Sequence, residues 1–156
     1  MSDISIQLRM PPVLDSGFLP ASVYNRTFRE MATRAGAVPL RLALERADGS
    51  VSVFETIVFA PGSSLFGLNL RYVERIVKFL LWQRGGWKVH VGGPKEIAEH
   101  IRAENAPGGA REFDAVFMGG VYENPFTVVA TDADDVPGAK ETSVPLGRRL
   151  DGCRVG

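Results

Sequence analysis

The chain is poor in the residues that carry most site chemistry. Among 156 residues there are one cysteine and two histidines. Cys153 therefore has no partner for an internal disulfide, and neither His90 nor His100 belongs to a Cys/His cluster with zinc-site spacing. Charge of one sign is also lacking. With 18 basic and 18 acidic residues the formal net charge is zero, so no global field draws the chain to nucleic acid or to an anionic membrane. The start of the chain has no apolar leader core, and the longest helical pattern carries a charged stripe that excludes a membrane span. A cytoplasmic protein is the expectation. No internal repeat or low-complexity tract is present.

Several motifs are missing as well. There is no Ser-centred nucleophile elbow, no Gly-Lys-Ser/Thr of a Walker loop and no three-glycine dinucleotide fingerprint. Asp132, Asp134 and Asp135 lack the glycine and the terminal glutamate of a calcium loop. Glu96 and His100 stand one turn apart on an expected helix, but two ligands do not make a metal site. No catalytic residue, metal ligand or bound cofactor is expected within these residues.

What is present is a domain-sized chain, long enough to bury about two-thirds of its surface. Residues 1–19 read as an arm, because Pro11-Pro12 forbids a helix there. After Pro20, the residues Tyr24, Phe28 and Met31 fall at helical spacing up to Gly36, with Ser22 or Asn25 as N-cap. Leu40, Leu42 and Leu44 then fall on one side of an alternating run. A second run, Val51 to Phe59, follows after Asp48-Gly49, and two such runs joined at Asp-Gly predict a β-hairpin.

The next helix spans roughly Asn69 to Arg84. Its apolar stripe is Val73, Ile76, Val77, Leu80 and Leu81, and Tyr72, Phe79 and Trp82 widen the arc, which predicts burial over most of the circumference. Arg71, Glu74, Arg75 and Lys78 form the opposite stripe, read as a solvated face with Glu74 and Lys78 in i,i+4 order. Gly85-Gly86 ends this helix. Trp87 to Val91 reads as a strand, Gly92-Gly93-Pro94 as a sharp turn, and Lys95 to Arg102 as a helix, the grammar of an α/β unit with a parallel strand. Phe113 to Met118 and Pro125 to Ala130 read as two more strands. The acidic stretch from Thr131 reads as a linker or exposed loop.

The expected fold is thus mixed α/β, a mixed sheet with an N-terminal hairpin covered by about three helices. Two places invite a functional reading. Gly92 and Gly93 lead a strand into a helix N-terminus, where bare backbone N–H groups let a phosphate come close, although Pro94 removes one donor and a tight structural turn has the same sequence. Trp82 and Trp87 flank a helix-to-strand turn and offer a stacking surface toward a neighbouring domain, or else simply close that turn.

Three segments carry a resemblance: Tyr72 through Trp87, Gly92-Gly93-Pro94-Lys95-Glu96-Ile97, and Pro145 through Gly156. They resemble the N-terminal region of long bacterial ROK-family proteins, a family of repressors, uncharacterised reading frames and sugar kinases. The resemblance covers most of the chain from about Leu19. It implies that Gly152-Cys153-Arg154-Val155-Gly156 begins the first strand of a kinase-like domain, with an Asp-x-Gly phosphate loop beyond it. That loop, the Glu-x-Gly-His sugar pattern and the cysteine-rich zinc motif are not in these residues, so no catalytic role transfers to them. In outline the elements also resemble one lobe of an actin-like ATPase fold. The implied organisation is an arm (1–19), a mixed α/β module (20–130), a linker (131–149) and a truncated start of the kinase-like domain (150–156). The implied function is a non-catalytic accessory module that packs on that C-terminal domain, with ATP a cofactor of the full-length protein only. Two alternatives stay open: a contribution to the nucleotide or sugar site of an ATP-dependent sugar kinase, and a protein-interaction module of a transcriptional regulator. Homo-oligomerisation is compatible with each.

Overall fold

The computed structural model describes residues 4–9, 14 and 18–138. Pro11-Pro12, the second half of the expected linker, Cys153 and the expected start of a following domain lie outside the described residues.

Helix α1 (Ala21–Ala35) follows Pro20, whose carbonyl accepts the N–H groups of Val23 and Tyr24, each at 3.1 Å. Neither Ser22 nor Asn25 is the N-cap. Both lie inside the helix, because Pro20 takes the flanking position with extended backbone and without a side-chain cap bond. Gly36 closes the helix in the left-handed region at φ 86°, where a residue without Cβ is unstrained. The hairpin forms as predicted. β1 (Ala37–Glu45) pairs antiparallel with β2 (Val51–Phe59), in register from Ala37 opposite Phe59 to Glu45 opposite Val51. In its loop Asp48 Oδ1 accepts the Ser50 hydroxyl at 2.6 Å and the Ser50 amide at 2.9 Å. These two bonds, the hydroxyl's first, hold the Asp48 carboxyl below its ordinary value.

Helix α2 (Leu68–Arg84) ends where Gly85 donates its N–H to the Leu81 carbonyl. β3 (Lys88–Gly92) then runs antiparallel to β1, with Arg41 opposite Gly92 and Glu45 opposite Lys88. Helix α3 (Lys95–Asn105) starts after Pro94, and β4 (Thr127–Thr131) pairs parallel with β3. The sheet order is β2-β1-β3-β4, so the parallel pair is joined by a helical crossover, as a parallel connection requires. Mixed α/β architecture is therefore observed.

One expected strand is a helix. Phe113 to Met118 lies within α4 (Glu112–Tyr122). The run has no period-2 alternation, and Ala115, Met118 and Tyr122 recur at three and four residues, turning one side inward onto α2 and α3. Gly119 and Gly120, which follow that run, are inside this helix as well. The described residues thus contain four α-helices and four strands.

The register fixes two faces of the sheet. Leu40, Leu42, Leu44, Val89, Val91 and Val128 share one face and form the core with Phe28, Tyr72, Val73, Ile97 and Ile101 from the helices. Phe28 stacks on Tyr72 at 3.8 Å between centroids and meets Phe59 edge-on at 5.2 Å, an aromatic cluster that joins α1, α2 and β2. Tyr72 also shares a buried hydrogen bond with the Thr56 hydroxyl at 2.8 Å. The other face carries Arg41, Glu45, Glu55, Lys88 and His90. It is crossed by residues 132–138, which include a short 3₁₀ turn (Ala133–Asp135) and the buried Val136.

Candidate interaction surface

Gly92 and Gly93 sit where the sequence places them, between β3 and α3. Their bare backbone is approached by the chain itself. A Cβ at Gly92 would lie 2.2 Å from Val136 Cγ2 and 3.0 Å from both the Ala133 Cα and the Asp132 carbonyl. A Cβ at Gly93 would lie 2.7 Å from Leu40 Cδ1. Gly93 N–H donates to the Thr131 carbonyl at 3.2 Å. The missing side chains are accounted for by close packing of residues 132–136 and β1.

The two histidines are separated by the sheet. His90 projects from the face opposite Val89 and Val91, as the alternation predicts, and its Nε2 lies 3.1 Å from Glu45 Oε2. His100 Nε2 lies 3.4 Å from Glu74 Oε2 rather than pairing with Glu96, which is exposed. Among the described residues no group of three or more His, Cys, Asp or Glu is placed to hold a metal ion, and no helix is long and apolar enough to cross a membrane.

The stripe expected as a solvated face of α2 is partly engaged. Glu74 accepts the Arg111 Nε–H at 2.8 Å, and Lys78 Nζ lies 3.9 Å from the buried Asp114. Arg75 stands over the Tyr24 ring at 5.4 Å. These cross-helix contacts replace the expected Glu74–Lys78 pairing because α4, unrecognised as a helix in the sequence, brings Arg111 and Asp114 to α2.

The tryptophans part company. Trp87 is half-buried; its backbone continues the ladder to Glu45 and Thr127, and the Lys88 ammonium lies 5.7 Å from its ring. Trp82 is 46% exposed, and so is Phe79, at 59%. The expectation that α2 is buried on most of its circumference therefore fails on this side. Trp82 donates its indole N–H to Asp114 Oδ1 at 3.0 Å and stacks on Phe117 at 5.1 Å. Phe117 in turn stacks on Phe113 at 6.2 Å. The chain matches no protein-family model, no curated protein and no solved structure.

What the geometry offers is therefore a surface. Phe113, Val116, Phe117 and Val121 recur at helical spacing along the outer side of α4, each from 45% to 70% exposed, and Trp82 and Phe79 extend them onto α2. A monomeric soluble protein seldom displays so continuous an apolar patch, and such patches mark interaction sites. Beside it an open groove of about 440 Å³ runs along Val116, Gly119, Glu123, Asn124 and Phe126. Trp82 was a candidate from the sequence. The α4 residues were missed because they were assigned to a strand, although their 113, 116, 117, 120, 121 spacing is a helical stripe.

Proposed function

We propose that this chain is the non-catalytic N-terminal accessory module of a cytoplasmic, ROK-type, sugar-kinase-like protein, packing on the kinase-like domain that follows in the same polypeptide. The observation that carries this reading is the asymmetry of the sheet. The core helices occupy one face, and among the described residues the segment 132–138 crosses the other. That segment passes Gly92, where Val136 packs, and reaches β2 at Gly138, where a Cβ would meet Val53 Cγ2 at 3.0 Å. Half-buried Val51, Val53 and Ile57 line β2 on that face. Arg41 tethers the segment through Asp134 Oδ1 at 2.9 Å and the Ala133 carbonyl at 3.0 Å. A domain attached downstream is thereby delivered to the half-covered face, which an obligate intrachain interface would bury. ATP and sugar are handled by that domain and not by Gly92 and Gly93, whose open sides the chain itself fills.

The test is to titrate ATP and hexoses against the 156-residue chain and against the protein extended through the following domain. Binding is expected only in the extended protein, unchanged by Gly93→Ala. Slower amide exchange in β2 is expected there too. ATP binding by the shorter chain would overturn the reading. The exposure of Trp82 and its neighbours favours a second role in protein interaction on the opposite side of the molecule.

A further inference from the structure

The aromatic face lies on the helical side, away from the sheet face assigned above to the following domain. We infer that it is a two-fold interface between copies of this chain, with α2 of each copy lying over α4 of the other.

Three features point to this occupant. The first is the face itself, six large apolar side chains from Phe79 to Val121 that the fold leaves exposed. The second is charge. The exposed charges flanking the apolar row of α4 are Glu112 and Glu123, and α4 contains no basic residue. The exposed charges of α2 are Arg71, Lys78 and Arg84, all basic. A two-fold axis lying in the face, between the two helices, sets each basic row against the partner's acidic row. Superposing α4 on α4 instead opposes like charges, which disfavours that arrangement. The surface is thus self-complementary, as an isologous contact requires.

The third feature is Gly120. It lies in the outer stripe of α4, its φ is not positive, and a Cβ built there meets nothing within 4 Å. Neither backbone conformation nor internal packing calls for glycine, which weakens a helix interior relative to alanine. Gly119 differs, since the Asn124 carbonyl approaches its Cβ position to 3.1 Å. A gap on an exposed aromatic row is the complement of a large side chain on a partner, and Trp82 and Phe79 of the second copy have the size and position to enter it.

Sedimentation equilibrium of the full chain reads this directly. A concentration-dependent dimer is expected for the wild type. Phe117→Glu should weaken it by about thirtyfold or more, the scale of a central aromatic anchor, with far-UV circular dichroism unchanged. Gly120→Leu supplies a second reading that does not depend on removing a contact. It fills space that is empty in one copy, so it should leave the fold intact or stabilise it while weakening the dimer. Charge then identifies the arrangement. A chain with Glu112→Lys and Glu123→Lys, and another with Gln83→Glu and Arg84→Glu, should each self-associate poorly and form a heterodimer when mixed. A wild type that stays monomeric at all concentrations overturns the inference and leaves the face to a different partner. A dimer indifferent to Phe117→Glu and Gly120→Leu, or folded charge variants that fail to pair on mixing, overturns it equally.

Discussion

The carboxamide of Asn69 acts as a backbone partner for Phe59. Its Oδ1 accepts the Phe59 N–H at 2.9 Å and its Nδ2 donates to the Phe59 carbonyl, also at 2.9 Å. Both residues are fully buried, so the pair locks the first turn of α2 to the last residue of β2. Asn69→Leu keeps the volume and abandons both main-chain groups in the core. The expected loss is about 2–4 kcal/mol of unfolding free energy, measured by urea denaturation. A loss well below 1 kcal/mol would show that those groups find other partners.

The two glycines after β3 should differ in tolerance. At Gly92 a methyl group meets backbone atoms of Asp132 and Ala133 as well as Val136, whereas at Gly93 its nearest obstacle is the end of one side chain, the Leu40 Cδ1 methyl. Gly92→Ala is expected to cost about 2–3 kcal/mol and Gly93→Ala about 1 kcal/mol or less. Thermal melts of the two variants check the order. The reverse order would mean that the segment 132–136 does not hold its place over β3.

Asp114 fastens α4 to α2 from a position only 4% exposed, through the Trp82 indole and Lys78. It also stands in the first turn of α4, where a negative charge is favoured by the helix dipole. Asp114→Ala should lower stability by about 1–2 kcal/mol and accelerate amide exchange in α4 more than in α3. Uniform acceleration across both helices would sink the idea of a local fastening.

Glu123 ends α4 in the left-handed region at φ 54°, the one non-glycine residue with positive φ among those described. Its Cβ is strained there. Glu123→Gly should therefore stabilise the chain by about 0.5–1 kcal/mol, read as a higher denaturation midpoint. A lower midpoint would mean that the Glu123 side chain contributes more than its backbone costs.

The elements with local signals were legible. Alternation and Asp48-Gly49 specified the hairpin, and Pro20 and Gly36 bracketed α1. The Gly85-Gly86 and Gly92-Gly93-Pro94 punctuation placed α2, β3 and α3 in order. Those features follow from backbone conformational limits and side-chain periodicity, which short stretches of sequence contain in full. The stretch from Phe113 to Met118 did not yield to the same reading, because five apolar residues around Asp114 are too short a run to establish a period, and the helical one emerges only when Val121 and Tyr122 are included.

By itself, then, the sequence determined the mixed α/β class, the hairpin and the strand–turn–helix grammar that makes β3 and β4 parallel. Tertiary structure alone decided which apolar residues are core. Tyr72 and Trp82 stand on the same helix with similar side chains, yet one stacks inside on Phe28 and the other lies outside on Phe117. That distinction depends on where α1 and α4 pack around α2, a matter of contacts between residues distant in the chain. No local pattern records it, and the interaction surface depends on it.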